Sequence, residues 1–251
     1  MTFGAALAIL GAGLAAGTVN TIVGSGSLIT FPTLLALGYP AVVANVSNTI
    51  GLVPGTISGT IGYRRELEGQ GPRIRKLGIA SIAGGITGGV LLLALPGEVF
   101  RNIVPILILV ACVLVVLQPR LARRVATGPG GRHEHGGRLL FATIFATGVY
   151  GGYFGAAQGV ILIALLGIFL DDGLQRLNAA KNLLAALVNG VAAVLFVFAA
   201  HVAWGAAALL AAGAIVGGQV GATVGRRIPP PLLRAVIVVV GTAVAVKLLV
   251  S

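Results

Sequence analysis

Charged residues are scarce in this 251-residue chain, and their scarcity excludes a soluble globular protein. Only 9% of the residues are Asp, Glu, Lys or Arg, whereas 57% are hydrophobic. A soluble domain carries about a quarter of its residues as charged side chains, which cover its surface. We therefore expect an integral membrane protein whose outer surface faces lipid.

Cysteine is almost absent as well. The single cysteine, Cys112, lies in an apolar run, so the chain holds neither a disulfide framework nor a thiolate metal cluster. His133-Glu-His135 could bind a metal, but an isolated pair of histidines in a glycine-rich stretch is typical of a solvated loop. We expect no metal, no cofactor and no catalytic residues.

The first apolar segment lacks the features of a cleaved signal peptide. No basic residues precede it, and glycine and asparagine follow it in place of a small-residue cleavage site. We expect it to be retained as the first helix. The net charge of +11 would indicate a nucleic-acid partner in a soluble protein, but here the basic residues flank apolar segments and report orientation. No nucleic-acid partner is expected.

Long apolar runs fill most of the chain. Several are long enough to cross about 30 Å of hydrocarbon as helices, and stretches of alternating polarity, which a membrane barrel would need, are missing. The 39 glycines suit close contacts between helices in lipid. The apolar runs are 3–23, 27–38, 42–62, 77–95, 102–118, 139–170, 177–200, 203–225 and 235–250.

Two of these runs carry the same polar stripe. Asn178, Lys181, Asn182 and Asn189 fall on one face of a helix at 3.6 residues per turn. The same spacing occurs 133 positions earlier, where the residues are Asn45, Asn48, Thr49 and Thr56. A polar stripe repeated on two apolar helices indicates a binding site in two parts.

The stripes belong to an internal duplication. Gly13, Gly17, Gly24 and Gly38 recur at an offset of 135, and Gly84, Gly85, Gly88, Pro96 and Arg101 recur at an offset of 133. The sequence predicts a first membrane repeat over 1–118, a cytoplasmic linker loop over 119–138 and a second membrane repeat over 139–251.

The two copies differ in their charge. The loop at 63–76 holds five basic residues, whereas the aligned segment 196–209 holds none, and Arg226 and Arg227 follow a later span. If basic residues mark the cytoplasm, the repeats are inverted, with positions 70 and 201 on opposite faces. Two parallel repeats of four spans, with Arg226 and Arg227 outside, remain the alternative. We expect an all-α polytopic membrane protein: two inverted repeats of about four to five helical segments each, with short or broken helices near the repeat interface.

Glycine-rich breaks interrupt two of the apolar runs. Gly24-Ser25-Gly26 favours a broken helix with free backbone N–H groups, which a membrane protein tolerates only beside a cavity. A tight turn outside the membrane is the alternative. Gln158-Gly159 takes the corresponding place in the second copy.

Lys181 is the chemically informative residue of the stripes. An ammonium inside a span is costly and indicates a functional role with a negative partner, although Lys181 could also reach the membrane interface, as Lys247 can. All six acidic residues fall in predicted loops or turns, so the site favours a small anion with several acceptor oxygens. The predicted substrate-binding residues are Gly24, Ser25, Gly26, Asn45, Asn48, Thr49, Gln158, Gly159, Asn178, Lys181, Asn182 and Asn189.

The glycine pattern supports a family resemblance. Gly13-Leu-Ala-Ala-Gly17, Gly24-Ser-Gly26, Pro32, Gly38 and the segment Asn45 to Thr49, with the weaker copy at Gly148, Gly152, Gly159 and Gly173, resemble the sulfite exporter TauE/SafE family. The resemblance covers nearly the whole chain. It implies an inner-membrane permease that exports sulfite, sulfoacetate or related organosulfur anions by alternating access. One departure is Gln158-Gly159-Val-Ile, where the first copy has Val23-Gly24-Ser-Gly.

Other functions remain open from the sequence. An anion channel would use the same repeats, and a scaffold without transport activity would leave the stripes unexplained. An intramembrane serine protease would pair Ser25 with His201 as a base, whereas an interfacial role beside Trp204 is the simpler interpretation of that histidine. The sequence leaves the oligomeric state, the anion and any coupling ion open.

Overall fold

The computed structural model describes residues 1–127 and 137–223, together with 238, 239, 242 and 246. This part of the chain is helical and contains no β-strand, which confirms the expected all-α class. A 3-10 turn, Arg64–Leu67, follows the third helix. The helices are α1 (Phe3–Ile22), α2 (Ser27–Ala36), α3 (Ala41–Gly62), α4 (Gly71–Ala94), α5 (Gly97–Thr127), α6 (Arg138–Tyr153), α7 (Gln158–Phe169), α8 (Leu174–Ala199) and α9 (Trp204–Thr223).

Helix length confirms a polytopic membrane protein. In the described residues, five helices have the length and apolar composition needed to cross a membrane: Phe3–Ile22, Gly71–Ala94, Gly97–Leu117, Leu174–Ala199 and Trp204–Thr223. Two apolar helices, α2 and α7, are shorter and follow the glycine-rich breaks. The single apolar run predicted over 139–170 is therefore two helices, α6 and α7.

Helices of the two predicted repeats, called copies below, pack against each other more than within each repeat. The most extensive contacts join α1 to α9 and α4 to α6. In addition, α3 packs against α9, α8 packs against α4, and α3 and α8 pack against each other. By the sequence offsets, α1 and α6 are counterparts, and so are α4 and α9. The main contact of one copy therefore recurs in the other with the partners exchanged.

Glycines make these contacts possible. A Cβ added at Gly17 of α1 would lie 2.4 Å from the Ala214 oxygen of α9, and a Cβ added at Gly152 of α6 would lie 2.3 Å from the Gly85 oxygen of α4. No real Cβ is found so close to a carbonyl oxygen, so only glycine fits at these positions. The glycine pattern of the sequence thus specifies how α1 and α6 dock on the other copy.

The first break is a tight reversal buried inside the protein. Gly26 lies against Ala16, ten residues earlier, where a continuous helix would place it about 15 Å away. The chain therefore turns back on α1 before α2 begins. Gly24 has a φ of 88°, which glycine adopts without strain. Residues 23–26 are all buried, so this turn is not exposed at the protein surface.

The second break lies before Gln158-Gly159. Residues 154–157 are non-helical, and Gln158 and Gly159 form the first turn of α7. Gly155, with a φ of 75°, takes the conformation that Gly24 has in the first break. The predicted pairing of Gly24 with Gly159 as equivalents is therefore wrong. Gly148 packs on Ser81 as Gly17 packs on Ala214, so α1 and α6 correspond at an offset of 131, about one helical turn less than the predicted 135, and Gly155 is the counterpart of Gly24. Gly24 and Gly159 instead contact each other, with the Gly159 N–H donating to the Gly24 oxygen at 3.0 Å.

Polar contacts join the loop after α3 to the turn before α8. Asp172 forms ion pairs with Arg73 at 2.7 Å and with Arg176 at 2.8 Å. The Gln70 amide donates to the Arg176 oxygen at 3.1 Å. Gln70 thus lies in contact with the first turn of α8. His201 follows the other end of this 26-residue helix, whose two ends are about 39 Å apart.

Some sequence predictions fall outside the described residues. They concern His133, Glu134 and His135 of the linker, and Arg226, Arg227, Pro229, Arg234 and Lys247 of the second copy. α5 continues to Thr127, so the first part of the predicted linker is helical.

Candidate functional site

The polar stripe of α8 is buried against the end of α1. Asn178, Lys181 and Asn182 are all buried, and Lys181 is only 1% exposed. The Lys181 ammonium donates to the Asn20 oxygen at 3.3 Å and to the Thr21 oxygen at 3.2 Å. The side-chain amides of Asn178 and Asn182 also donate to the Thr21 oxygen, at 3.3 and 3.4 Å. The stripe therefore brings three donors to one helix end.

These carbonyls are available because the break stops α1. The N–H groups of Val23 and Gly24 both donate to the Val19 oxygen, which leaves Asn20 and Thr21 without partners along the helix. The last carbonyls of a helix also carry the negative end of its dipole, equivalent to about half a charge. The buried ammonium is thus stabilised by a helix end. A lysine has three N–H donors, and two of those of Lys181 have partners in the described part of the chain.

The stripe of α3 contacts the end of α6 and the start of α2. The Asn45 amide donates to the Tyr153 oxygen, the last residue of α6, at 3.0 Å. Asn48 donates to the Ser27 hydroxyl at 3.3 Å and accepts a short hydrogen bond from the Thr30 hydroxyl. Asn45 and Asn178, which are counterparts in the sequence, therefore make counterpart contacts with the ends of α6 and α1.

Two other predicted site residues contribute less. The Thr49 hydroxyl donates to the Asn45 oxygen of its own helix at 3.0 Å, although Thr49 is buried beside the stripe. Asn189 is half-buried and lies about two turns beyond Asn182 along α8. No hydrogen bond in the described part of the chain joins Asn189 to either break.

Unpaired polar atoms concentrate around the two breaks. Five buried side-chain atoms in the described residues have no hydrogen-bond partner, and four of them lie at or next to a break. Buried polar groups are normally paired, so such a group indicates a ligand, a water or an ion. The four atoms are Ser25 Oγ, Asn45 Oδ1, the Tyr153 hydroxyl and Gln158 Nε2; the fifth, Ser81 Oγ, belongs to α4.

The structure adds residues that the stripes did not predict. Asn20 donates to the Thr56 hydroxyl at 3.4 Å and accepts from the Gly26 N–H at 3.4 Å, so it spans the first break. Tyr153 presents both its carbonyl and its hydroxyl beside the second break. Asn20 could have been found as the last amide before the glycines, whereas Tyr153 has no sequence signal.

The carboxylates of the described residues lie outside this region. Asp172 contacts Arg73 and Arg176 and not Lys181. Burial alone would raise the pKa of Asp172, but the hydrogen bonds from Arg73 and the Gly173 N–H and the charge of Arg176 together lower it below its usual value. Asp172 therefore stays ionised and serves as a structural ion-pair partner.

A serine protease site does not assemble in the described residues. Ser25 Oγ has no hydrogen-bond partner, so none of these residues serves it as a base. His201 is exposed and follows the far end of α8. Groups of three or more His, Cys, Asp or Glu side chains that could hold a metal were also not found in this part of the chain.

Comparisons with known proteins indicate a membrane transporter. Three relatives are described as probable membrane transporter proteins. YfcA of Escherichia coli strain K12 is 29% identical over 238 residues, which cover 93% of this chain and 86% of the relative. ORF9 of a Sinorhizobium species is 25% identical, covering 93% of this chain and 88% of the relative. The Haemophilus influenzae relative is 26% identical, covering 94% and 91%.

No solved structure matched the chain. Residues 9–248 match the family described as sulfite exporter TauE/SafE, which is nearly the whole sequence. The buried polar stripes, the broken helices and the five long apolar helices belong to one matching region. This chain is a multi-pass membrane protein of the sulfite exporter TauE/SafE family.

Proposed function

We propose that this membrane transporter exports small sulfur oxyanions or organosulfur anions, such as sulfite or sulfoacetate, across the inner membrane. The substrate binds between the stripes of α3 and α8, beside the two breaks. One observation carries the proposal: the ammonium of Lys181 is buried against a helix end and forms no ion pair with a carboxylate of the described residues.

The electrostatics of Lys181 favour an anion. A charged group in a low-dielectric region is costly unless an opposite charge neutralises it. The end of α1 supplies about half a negative charge, so net positive charge remains for the substrate. A sulfite or sulfonate group has three oxygens, which suit the third N–H of Lys181, the Ser25 hydroxyl and the Gln158 amide.

Alternating access fits the paired contacts of the copies. Each copy contributes a helix hairpin, α1–α2 or α6–α7, and the tips meet where Gly24 contacts Gly159. Inverted repeats can exchange two such conformations around a fixed site. In the described residues the acidic side chains lie in loops, in the 3-10 turn or, for Glu98, in the first turn of α5, where the sequence predicted a turn. We therefore expect no proton-carrying carboxylate at the site. An inside-negative potential favours anion export by about 2.3 kcal/mol per charge at 100 mV.

Flux into proteoliposomes tests the proposal. Sulfite, sulfoacetate, sulfate and a carboxylate should be compared, and we expect saturable uptake of one or more sulfur anions. Lys181→Ala should reduce this flux at least tenfold, because one charge-assisted hydrogen bond contributes about 1.5 to 3 kcal/mol. Lys181→Arg should restore it only in part, since the planar guanidinium has a different shape. Lys76→Ala, at an exposed lysine of α4, is the control and should leave flux unchanged.

Three results would count against the proposal. Flux that rises linearly with concentration, without accelerated exchange by substrate on the opposite side, would indicate a channel. Unchanged flux in Lys181→Ala would reduce the lysine to a structural cap for α1. Transport of the carboxylate alone would exclude sulfur anions as the substrate class.

A further inference from the structure

The end of α6 repeats the geometry of the end of α1. The N–H groups of Phe154 and Gly155 both donate to the Tyr150 oxygen, as those of Val23 and Gly24 do to the Val19 oxygen. This pairing leaves the carbonyls of Gly151, Gly152 and Tyr153 without partners along the helix. Both breaks therefore present the negative end of a helix dipole to the interior of the protein.

The two helix ends differ in the cation that faces them. At the end of α1, Lys181 of α8 supplies an ammonium. The residue of α3 that corresponds to Lys181 is Asn48, and its amide is occupied by Ser27 and Thr30. No lysine or arginine of the described residues donates a hydrogen bond to the end of α6. The α6 end thus has the carbonyls of the α1 end without the built-in positive charge.

Oxygen acceptors accumulate at the α6 end. Asn45, which is 1% exposed, uses its N–H₂ group on the Tyr153 oxygen, and its Oδ1 has no partner. The carbonyls of Gly151 and Gly152 accept no hydrogen bond from residues outside the helix in the described part of the chain. The amide of Gln158, which is 2% exposed, lies beside Gly151, and its Nε2 has no partner. A half-turn of this amide exchanges its nitrogen for its oxygen, which then faces the same place. Unpaired buried acceptors are costly unless a cation or a donor binds them.

We propose that the end of α6 binds Na⁺ through the Gly151 and Gly152 carbonyls, Asn45 Oδ1 and the Gln158 amide oxygen. Na⁺ suits this set because its ligands are neutral oxygens, whereas Ca²⁺ and Mg²⁺ sites use carboxylates. Interrupted membrane helices often hold Na⁺ at such C-terminal ends. Lys181 shows that this fold supports a monovalent cation at the counterpart position. The ion adds a positive charge beside the anion site, which goes beyond the proposed export activity.

Thermal unfolding of the purified, substrate-free protein tests this site. The protein should be melted in NaCl and in N-methyl-D-glucamine chloride at equal ionic strength. We expect Na⁺ to raise the melting temperature by about 3 to 6 °C at ten times its dissociation constant, and further as its concentration rises. A response equal in the two salts would show that a water or a neighbouring protein donor satisfies the acceptors, and would overturn the proposal.

Matched variants locate the ion. Asn45→Ala and Gln158→Leu should each raise the apparent Na⁺ dissociation constant at least tenfold. Asn48→Lys places an ammonium about one turn from Asn45 on α3, at the position that corresponds to Lys181, and should abolish the Na⁺ response by competing with the ion. Asn178→Ala, the counterpart of Asn45, should keep the Na⁺ response whatever its effect on anion flux. Retention of the Na⁺ shift in both Gln158→Leu and Asn48→Lys would overturn the assignment.

The proposed function can fail separately. Saturable anion flux that needs no Na⁺, together with no Na⁺ shift in melting, would refute the ion site and leave the transporter intact. A Na⁺ shift that the variants remove, in a protein that moves no sulfur anion, would retain the ion site and refute the substrate.

Discussion

Replacing Gly17 by alanine tests the packing of the two copies. Gly17 faces α9, where the added Cβ would lie 2.4 Å from the Ala214 oxygen and 2.8 Å from its Cα. Gly11 belongs to the same helix, and an added Cβ there meets nothing within 4 Å. The two substitutions are chemically identical and differ only in what the new methyl group meets.

The structure gives the expected size of the difference. Carbon contacts are most favourable at about 3.5 to 4.0 Å, so α1 and α9 would have to separate by about 1 Å. Overpacking of this kind costs about 1 to 3 kcal/mol, whereas Gly→Ala in an open helix position gains up to about 1 kcal/mol. Gly17→Ala should therefore be about 2 kcal/mol less stable than Gly11→Ala, which corresponds to a melting temperature roughly 4 to 8 °C lower.

Thermal unfolding in detergent measures this difference, with the folded fraction followed by size-exclusion chromatography. Gly152→Ala provides a second arm, because its added Cβ would lie 2.3 Å from the Gly85 oxygen of α4. It should be destabilised to a similar extent as Gly17→Ala. Equal melting temperatures for Gly17→Ala and Gly11→Ala would refute the close approach of α1 and α9.

Two further predictions concern the loops. Asp172→Asn should lower stability by about 1 kcal/mol at neutral pH, since it breaks the ion pair with Arg73. The folded pKa of Asp172 is lowered, so the difference in stability from wild type should be full above about pH 4. In pH-dependent melting, this difference should vanish as the pH falls through the lowered pKa. A difference that persists in strong acid would contradict this. Single cysteines at Gly71, which is exposed beside the buried Gln70, and at the exposed His201, on a Cys112→Ala background, should react with an impermeant maleimide from opposite faces of the membrane. Labelling of both from one face would exclude inverted repeats.

Sequence alone was sufficient for the class of the protein and for the residues of its polar stripes. Charge scarcity and helix-length apolar runs predicted the all-α membrane fold, because lipid leaves backbone groups few ways to be satisfied. The 3.6-residue period placed Asn178, Lys181 and Asn182 on one face, where the structure has them. The assignment of those residues to substrate remains a prediction, as does the inversion of the repeats.

Only the tertiary structure decided what the stripes face. The sequence predicted a negative partner for Lys181, but the partners seen are the Asn20 and Thr21 carbonyls of another helix. It also aligned Gly24 with Gly159, because glycine spacing alone does not reveal that α1 and α6 correspond one helical turn away from the predicted offset. Periodicity reports which side of a helix is polar, since it depends on neighbours in sequence. Which helix end lies opposite depends on contacts between residues more than 100 positions apart, and no local pattern encodes them.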